Sequence, residues 1–313
     1  MFAQARSTGG YRALFIVIAS IALGVCAFVP EAALANEPTA NKLPAMPPNI
    51  VSIPPDLVVP PVADGEPVAG KRVRGSLPEF RGTAVHHLLF LPTDWKPGGK
   101  YPVIVEYAGN GNYRNGFGDV SDGSVEGSNL GYGISGGEGF IWIAMPFVDP
   151  VKKQNATQWW GDADASADYC VKTVRSVCEQ YGGDPQAVVL AGFSRGAIAC
   201  NYIGLRNDEI ARLWAAFVAH SHYDGVIEKW PYAEADRGSA LTRLGRLKGR
   251  PVFVSQEGDP GMTRRYIEST GMQASFTFLS LPYPNHTDAW VLRDLPEREK
   301  LRDWVQEKLS LPR

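Results

Sequence analysis

The stretch Ala187-Val188-Val189-Leu190-Ala191-Gly192-Phe193-Ser194-Arg195-Gly196 decides the fold. Its first half is a short apolar run with the β-branched bias of a buried strand. After it, Ile198, Tyr202 and Leu205 recur at i, i+4 and i+7, the stripe of a helix. Between them lies Gly-x-Ser-x-Gly. A serine on a sharp strand-to-helix turn exposes its hydroxyl at a sheet edge, and the first amides of the helix, that of Arg195 foremost, point back at it where they can hold an oxyanion. The flanking glycines suit such a turn, which leaves little space for a Cβ beside the nucleophile.

Working outward, apolar runs alternate with helical patterns on both sides of this turn. Strands are expected at Ala84–Leu91, Pro102–Tyr107, Phe140–Met145, Trp214–Ala219, Pro251–Ser255 and Ser275–Leu281. Val171, Val174, Cys178 and Tyr181 mark a helix closed by Gly182-Gly183. Leu301, Trp304, Val305 and Leu309 mark a final one. Alternation of this kind predicts an α/β architecture, a mostly parallel sheet with helices on both faces. Residues 226–250 read as a small helical excursion or cap.

A nucleophilic serine needs a base and a group that orients the base. The chain has five histidines. His286 stands just past the last strand, on the rim where loops leave the carboxyl ends of parallel strands, and is the expected base. Asp259, leaving the strand that ends near Ser255 through Gln256-Glu257-Gly258, is the expected acid. Glu257 and Asp224 are its rivals.

The order Ser194, Asp259, His286 resembles that of the α/β-hydrolase superfamily over residues 80–310. The branch it resembles holds exported esterases such as polyhydroxybutyrate depolymerases and feruloyl or acetylxylan esterases, with Gly183-Asp184-Pro185 ahead of the nucleophile strand especially similar. The resemblance implies an oxyanion loop after an early strand. Here Val103–Tyr107 runs into Ala108-Gly109-Asn110-Gly111, and the backbone N–H of Asn110 is implied as the partner of the Arg195 amide. Alanine and asparagine stand where the family often has histidine and glycine. The activity implied is cleavage of a small-molecule or polymer ester through an acyl-enzyme, without cofactor. A prolyl-oligopeptidase-like peptidase and a non-catalytic polysaccharide-binding protein on the same scaffold are the alternatives.

The 313 residues carry a formal net charge of −2, with no basic field for nucleic acid. Arg6 and Arg12 precede an apolar stretch over 13–29, followed by Ala33-Leu34-Ala35, the layout of a secretory signal. Residues 1–35 are therefore expected to be removed, giving a secreted or periplasmic protein without stable membrane insertion. Residues 36–69 form a proline-rich linker that can lie along the domain surface, and 70–313 the hydrolase domain. Of the cysteines beyond the signal, Cys170 and Cys178 lie too far apart on one helix to bond each other. Either could reach Cys200, but buried reduced thiols are the preferred reading.

Other patterns point elsewhere. Gly131-Tyr132-Gly133-Ile134-Ser135-Gly136 has dinucleotide-fingerprint spacing, but it precedes a strand and is expected to open no helix. His220 and His222 share a strand face without a third metal ligand, so no metal is expected. His86 and His87 are expected to be structural. Trp159, Trp160, Trp290, Tyr107 and Tyr113 are candidates for an aromatic surface near the site, suited to sugars or phenolic acyl groups. The Arg195 side chain could meet an anionic substrate group or a surface carboxylate. The loops at 111–139, 147–162 and 226–250 are expected to shape the pocket.

Overall fold

The computed structural model describes residues 48–311; the expected signal at 1–35 and residues 36–47 of the expected linker lie outside the described residues, as do 312 and 313. Nine strands form one sheet: β1 (Val62–Ala63), β2 (Arg72–Gly75), β3 (His87–Phe90), β4 (Tyr101–Tyr107), β5 (Ile141–Met145), β6 (Gly183–Phe193), β7 (Ala216–His220), β8 (Val252–Glu257) and β9 (Phe276–Leu281). Their spatial order is β1-β2-β3-β5-β4-β6-β7-β8-β9. Within this sheet β3 alone runs against the others, pairing antiparallel with β2 and β5. The chain crosses over after β4 and again after β5, so the strands that reverse the winding order, β4 and β6, lie side by side.

The helices are α1 (Leu130–Ser135), α2 (Ala163–Tyr181), α3 (Arg195–Tyr202), α4 (Asp208–Ala211), α5 (Arg237–Leu244), α6 (Gly261–Thr270) and α7 (Pro296–Lys308). Strand alternation divides them between two layers. Val103, Val105, Val188 and Leu190 face a core shared with α2, α3 and α6. Ile104, Val189 and Ala191, one residue out of phase, face a second core with Ile134 of α1 and Leu301, Trp304 and Val305 of α7. Central strands buried on both faces read as continuous apolar runs for this reason. Each fully buried aliphatic side chain contributes roughly 1.5–3 kcal/mol.

Local signals set the ends. Asp162 Oδ1 accepts from the Ala165 amide at 2.8 Å and starts α2, and Gly182 in a left-handed conformation ends it. Pro296 occupies the first turn of α7. The Gly131–Gly136 pattern departs from the sequence expectation, because it forms α1. Its N-terminal amides are already taken: Glu106 accepts from Asn129 N, Leu130 N and Gly131 N at 2.8–3.0 Å, and from Trp142 Nε1 at 2.9 Å. A carboxylate sits where a phosphate would.

The described part of the proline-rich segment is tied to the body. Ile50 is buried, and its N–H donates to Asn285 Oδ1 at 2.8 Å. Arg298 makes a two-pronged pair with Asp56, both contacts at 2.8 Å. Residues 226–250 form the crossover from β7 to β8 and contain α5. Arg243 anchors it through Asp224 Oδ2 at 2.8 Å. Cys170, Cys178 and Cys200 are all unpaired, and burial pushes the Cys170 thiol up to about 12. Among the described residues no helix is long and apolar enough to cross a membrane.

Candidate active site

The turn between β6 and α3 holds Ser194 at φ 53°, ψ −112°, a conformation that costs a non-glycine residue about 1–3 kcal/mol. The surroundings over-determine it. The Ser194 amide donates to His220 O at 2.8 Å, while Ala197 N and Ile198 N donate to Ser194 O at 3.0 and 3.2 Å. A Cβ on Gly192 would fall on the carbonyl of Gly196, and one on Gly196 would fall on the carbonyl of Tyr107 in β4. Glycine at both positions lets the turn close tightly against the neighbouring strand.

His286 follows β9 and comes back over this turn. Its Nε2 lies 2.9 Å from Ser194 Oγ, and its Nδ1 lies 2.5 Å from Glu257 Oε1. The ring is packed between Tyr113, Phe193 and His222, with centroids 5.0, 4.9 and 5.2 Å away. The backbone is held as well. His286 N donates to Asp119 Oδ2 at 2.8 Å, and Asn285 Nδ2 donates to Asp119 Oδ1 at 2.8 Å. The N-terminal segment therefore grips the loop of the candidate base through Ile50 and Asn285.

The carboxylate that reaches His286 is Glu257, a correction to the expected Asp259. β8 runs two residues beyond its apolar stretch, so Glu257 is its last residue. Gly258 then turns the chain at φ +64°. That turn breaks the alternation that would have kept residues 257 and 259 on one face, and Asp259 is exposed at the head of α6. Asp224 is also excluded as the partner of His286, because it is buried against Arg243. The second oxygen of Glu257 accepts from Ser221 Oγ at 2.5 Å. Burial pushes the Glu257 carboxyl up, but the bonds from His286 and Ser221 and the neighbouring imidazoles outweigh it and hold it at about 2. It is ionised at any working pH. These side chains stand at one rim of a mostly parallel nine-stranded sheet with helices on both faces. The chain has the α/β-hydrolase fold.

The oxyanion candidates, Arg195 and Asn110, line the same cavity as Ser194, Glu257 and His286. The side chain of Arg195 corrects its expectation: it meets neither solvent nor a carboxylate. It is buried, donating to Trp159 O at 2.6 Å, Ala156 O at 3.2 Å and Gly123 O at 3.1 Å. The guanidinium lies 4.0 Å over the Phe147 ring, and burial pushes it down to about 9. Asn110 Oδ1 accepts from Trp159 N at 2.8 Å.

The cavity is about 570 Å³. Of the expected aromatic group, Tyr113 and Trp159 reach it, joined by Phe117 and Trp230, which sequence reasoning had not singled out. Trp160, Trp290 and Tyr107 are core residues. His220 is buried, with Nδ1 3.0 Å from Ser255 Oγ and Nε2 3.0 Å from Thr287 O. His222 lines the cavity, and burial pushes it down to about 4. His86 contacts Glu126 at 3.0 Å, and His87 contacts the Tyr169 hydroxyl at 2.9 Å. Among the described residues no group of three or more His, Cys, Asp or Glu side chains could hold a metal ion.

No family model and no curated protein matches the chain. Solved structures do resemble it. The feruloyl esterase module of Clostridium thermocellum complexed with sinapinate is 17% identical, at a TM-score of 0.47 over 81% of this chain and 94% of the module. Esterase 2 of Thermogutta terrifontis, phosphoramylated by tabun, is 17% identical, with TM-score 0.47 over 74% of this chain and 96% of that one. The AtxE2 isopeptidase is 14% identical, with TM-score 0.47 over 77% of this chain. The chain spans 40% of the isopeptidase and 62% of a thermostable esterase. Esterases thus stand among its structural neighbours.

Proposed function

We propose that this protein is an exported serine hydrolase that cleaves a carboxylic ester. The observation that carries the reading is the continuous line from Ser194 Oγ through both nitrogens of His286 to Glu257, at 2.9 and 2.5 Å. His286 Nε2 takes the Ser194 proton as Oγ attacks the ester carbonyl. Glu257 fixes the tautomer and stabilises the imidazolium that forms. The amides of Arg195 and Asn110 hold the tetrahedral oxyanion, each worth ~10²–10³ in rate. Collapse breaks the C–O bond, and His286 returns its proton to the departing alcohol. Water deprotonated by the same imidazole then attacks the acyl-enzyme, the acid leaves, and Ser194 regains its proton. Export rests on Arg6, Arg12, the apolar run at 13–29 and Ala33-Leu34-Ala35.

The test is Ser194→Ala with a panel of short acyl esters and peptide amides, alongside labelling by a fluorophosphonate. Ester turnover should fall on the order of 10⁶-fold with the fold retained, and the probe should label Ser194. A variant hydrolysing esters near the wild-type rate, or labelling at another residue, overturns the reading.

A further inference from the structure

Trp159 stands apart from the other aromatic residues of the cavity. It sits at φ +49°, a region sparsely populated by bulky side chains. Three groups hold it there. Its N–H donates to the side chain of Asn110, its carbonyl accepts from Arg195, and Gly111 N donates to Thr157 O at 2.7 Å just before it. The indole leans on Trp230 and Tyr232, with ring centroids 5.5 Å away in each case, yet it remains half-buried and lines the cavity. A strained, over-determined residue beside a reacting centre is the kind of outlier from which function can be inferred.

The two side chains that clamp Trp159 belong to the residues whose amides are proposed to bind the oxyanion. Asn110 and Arg195 therefore make one rigid unit of the oxyanion site and the indole. Among the described residues that line the cavity, the charged side chains are already engaged. The Glu257 carboxylate is taken by His286 and Ser221, the Arg195 guanidinium is withdrawn onto carbonyls, and His222 is neutral at working pH.

We propose that Trp159 is the ring-binding platform of the Ser194 site, clamped through its backbone by Asn110 and Arg195, and that the ester it serves carries an uncharged ring close to the scissile carbonyl. The proposal rests on the esterase reading above. A planar ring laid on the indole gains an oriented contact that an alkyl chain of similar size lacks, and the clamp prevents the indole from drifting relative to the oxyanion amides.

The experiment measures kcat/KM on matched ester pairs. Methyl 3-phenylpropanoate against methyl hexanoate places the ring on the acyl side; benzyl acetate against butyl acetate places it on the alcohol side. Wild type should prefer the ring in one pair by about three- to tenfold, and that pair names the side. Trp159→Leu, which keeps bulk against Tyr232, should abolish the preference, and Trp159→Phe should restore most of it. Should Trp159→Leu not fold, calorimetric titration of the Ser194→Ala protein with the same pairs reads the preference directly. Absence of ring preference in wild type, or a preference that survives Trp159→Leu, overturns the proposal. If the fluorophosphonate still labels Ser194 in that case, the esterase reading stands without it; loss of labelling would instead defeat the esterase reading itself.

Discussion

Replacing Glu257 by glutamine tests the arrangement at its least anticipated point. The amide is isosteric and keeps an oxygen near His286 Nδ1, so the geometry survives while the charge is lost. The carboxylate and the imidazolium face each other across a 2.5 Å contact, with their charge centres about 4 Å apart. At an effective dielectric of about 20 that separation corresponds to about 4 kcal/mol. The interaction matters only once His286 has taken the serine proton, so nearly all of it appears in the barrier. A loss of about 10³-fold in kcat/KM follows. The assay is hydrolysis of a short acyl ester at pH 7.5, with thermal unfolding as a control and Asp259→Asn as a parallel variant. Asp259 is exposed, and its variant should stay within about twofold, as surface changes away from the site do. If Glu257→Gln keeps activity within tenfold, or Asp259→Asn shows the large loss, the assignment of the acid is refuted.

Two further outcomes concern stability. Asp288 is buried, and burial, followed by the charge of Glu106, pushes its carboxyl up to about 7. Because the folded state binds this proton more tightly than the unfolded chain, the group's contribution is full below about pH 4 and is lost as pH rises through 7. Asp288→Asn keeps an oxygen for the Asn129 Nδ2 donor, now at 2.8 Å, and should narrow the difference in urea stability between pH 5.5 and pH 8; an unchanged difference would show that Asp288 is not its source. Gly196→Ala drives a methyl into the Tyr107 carbonyl, and should cost roughly 1–3 kcal/mol and abolish fluorophosphonate labelling of Ser194; unaltered melting and labelling would mean the turn can relax.

Much of this was legible along the chain. The β-branched runs of β4, β6 and β8 announce strands because burial on both sheet faces leaves no polar alternation. Gly192 and Gly196 announce the turn around Ser194 because a Cβ at either would fall on a backbone carbonyl. His286 was reachable from its place beyond the last strand. The carboxylate that meets His286 was not, since choosing between Glu257 and Asp259 requires knowing where β8 ends and how Gly258 turns, and strand ends depend on pairing with β9. Nor was the role of the Arg195 side chain, whose carbonyl partners come from residues 123, 156 and 159.

Local chemistry, then, dictated the sheet, the sharp turn and the place of Ser194 on it, because strand and turn preferences act between residues near one another in sequence. The partner of His286, the clamp on Trp159 and the engagement of the charged groups that line the cavity emerged only on folding. They depend on hydrogen bonds between segments tens to hundreds of residues apart, and on the direction in which each side chain leaves the backbone.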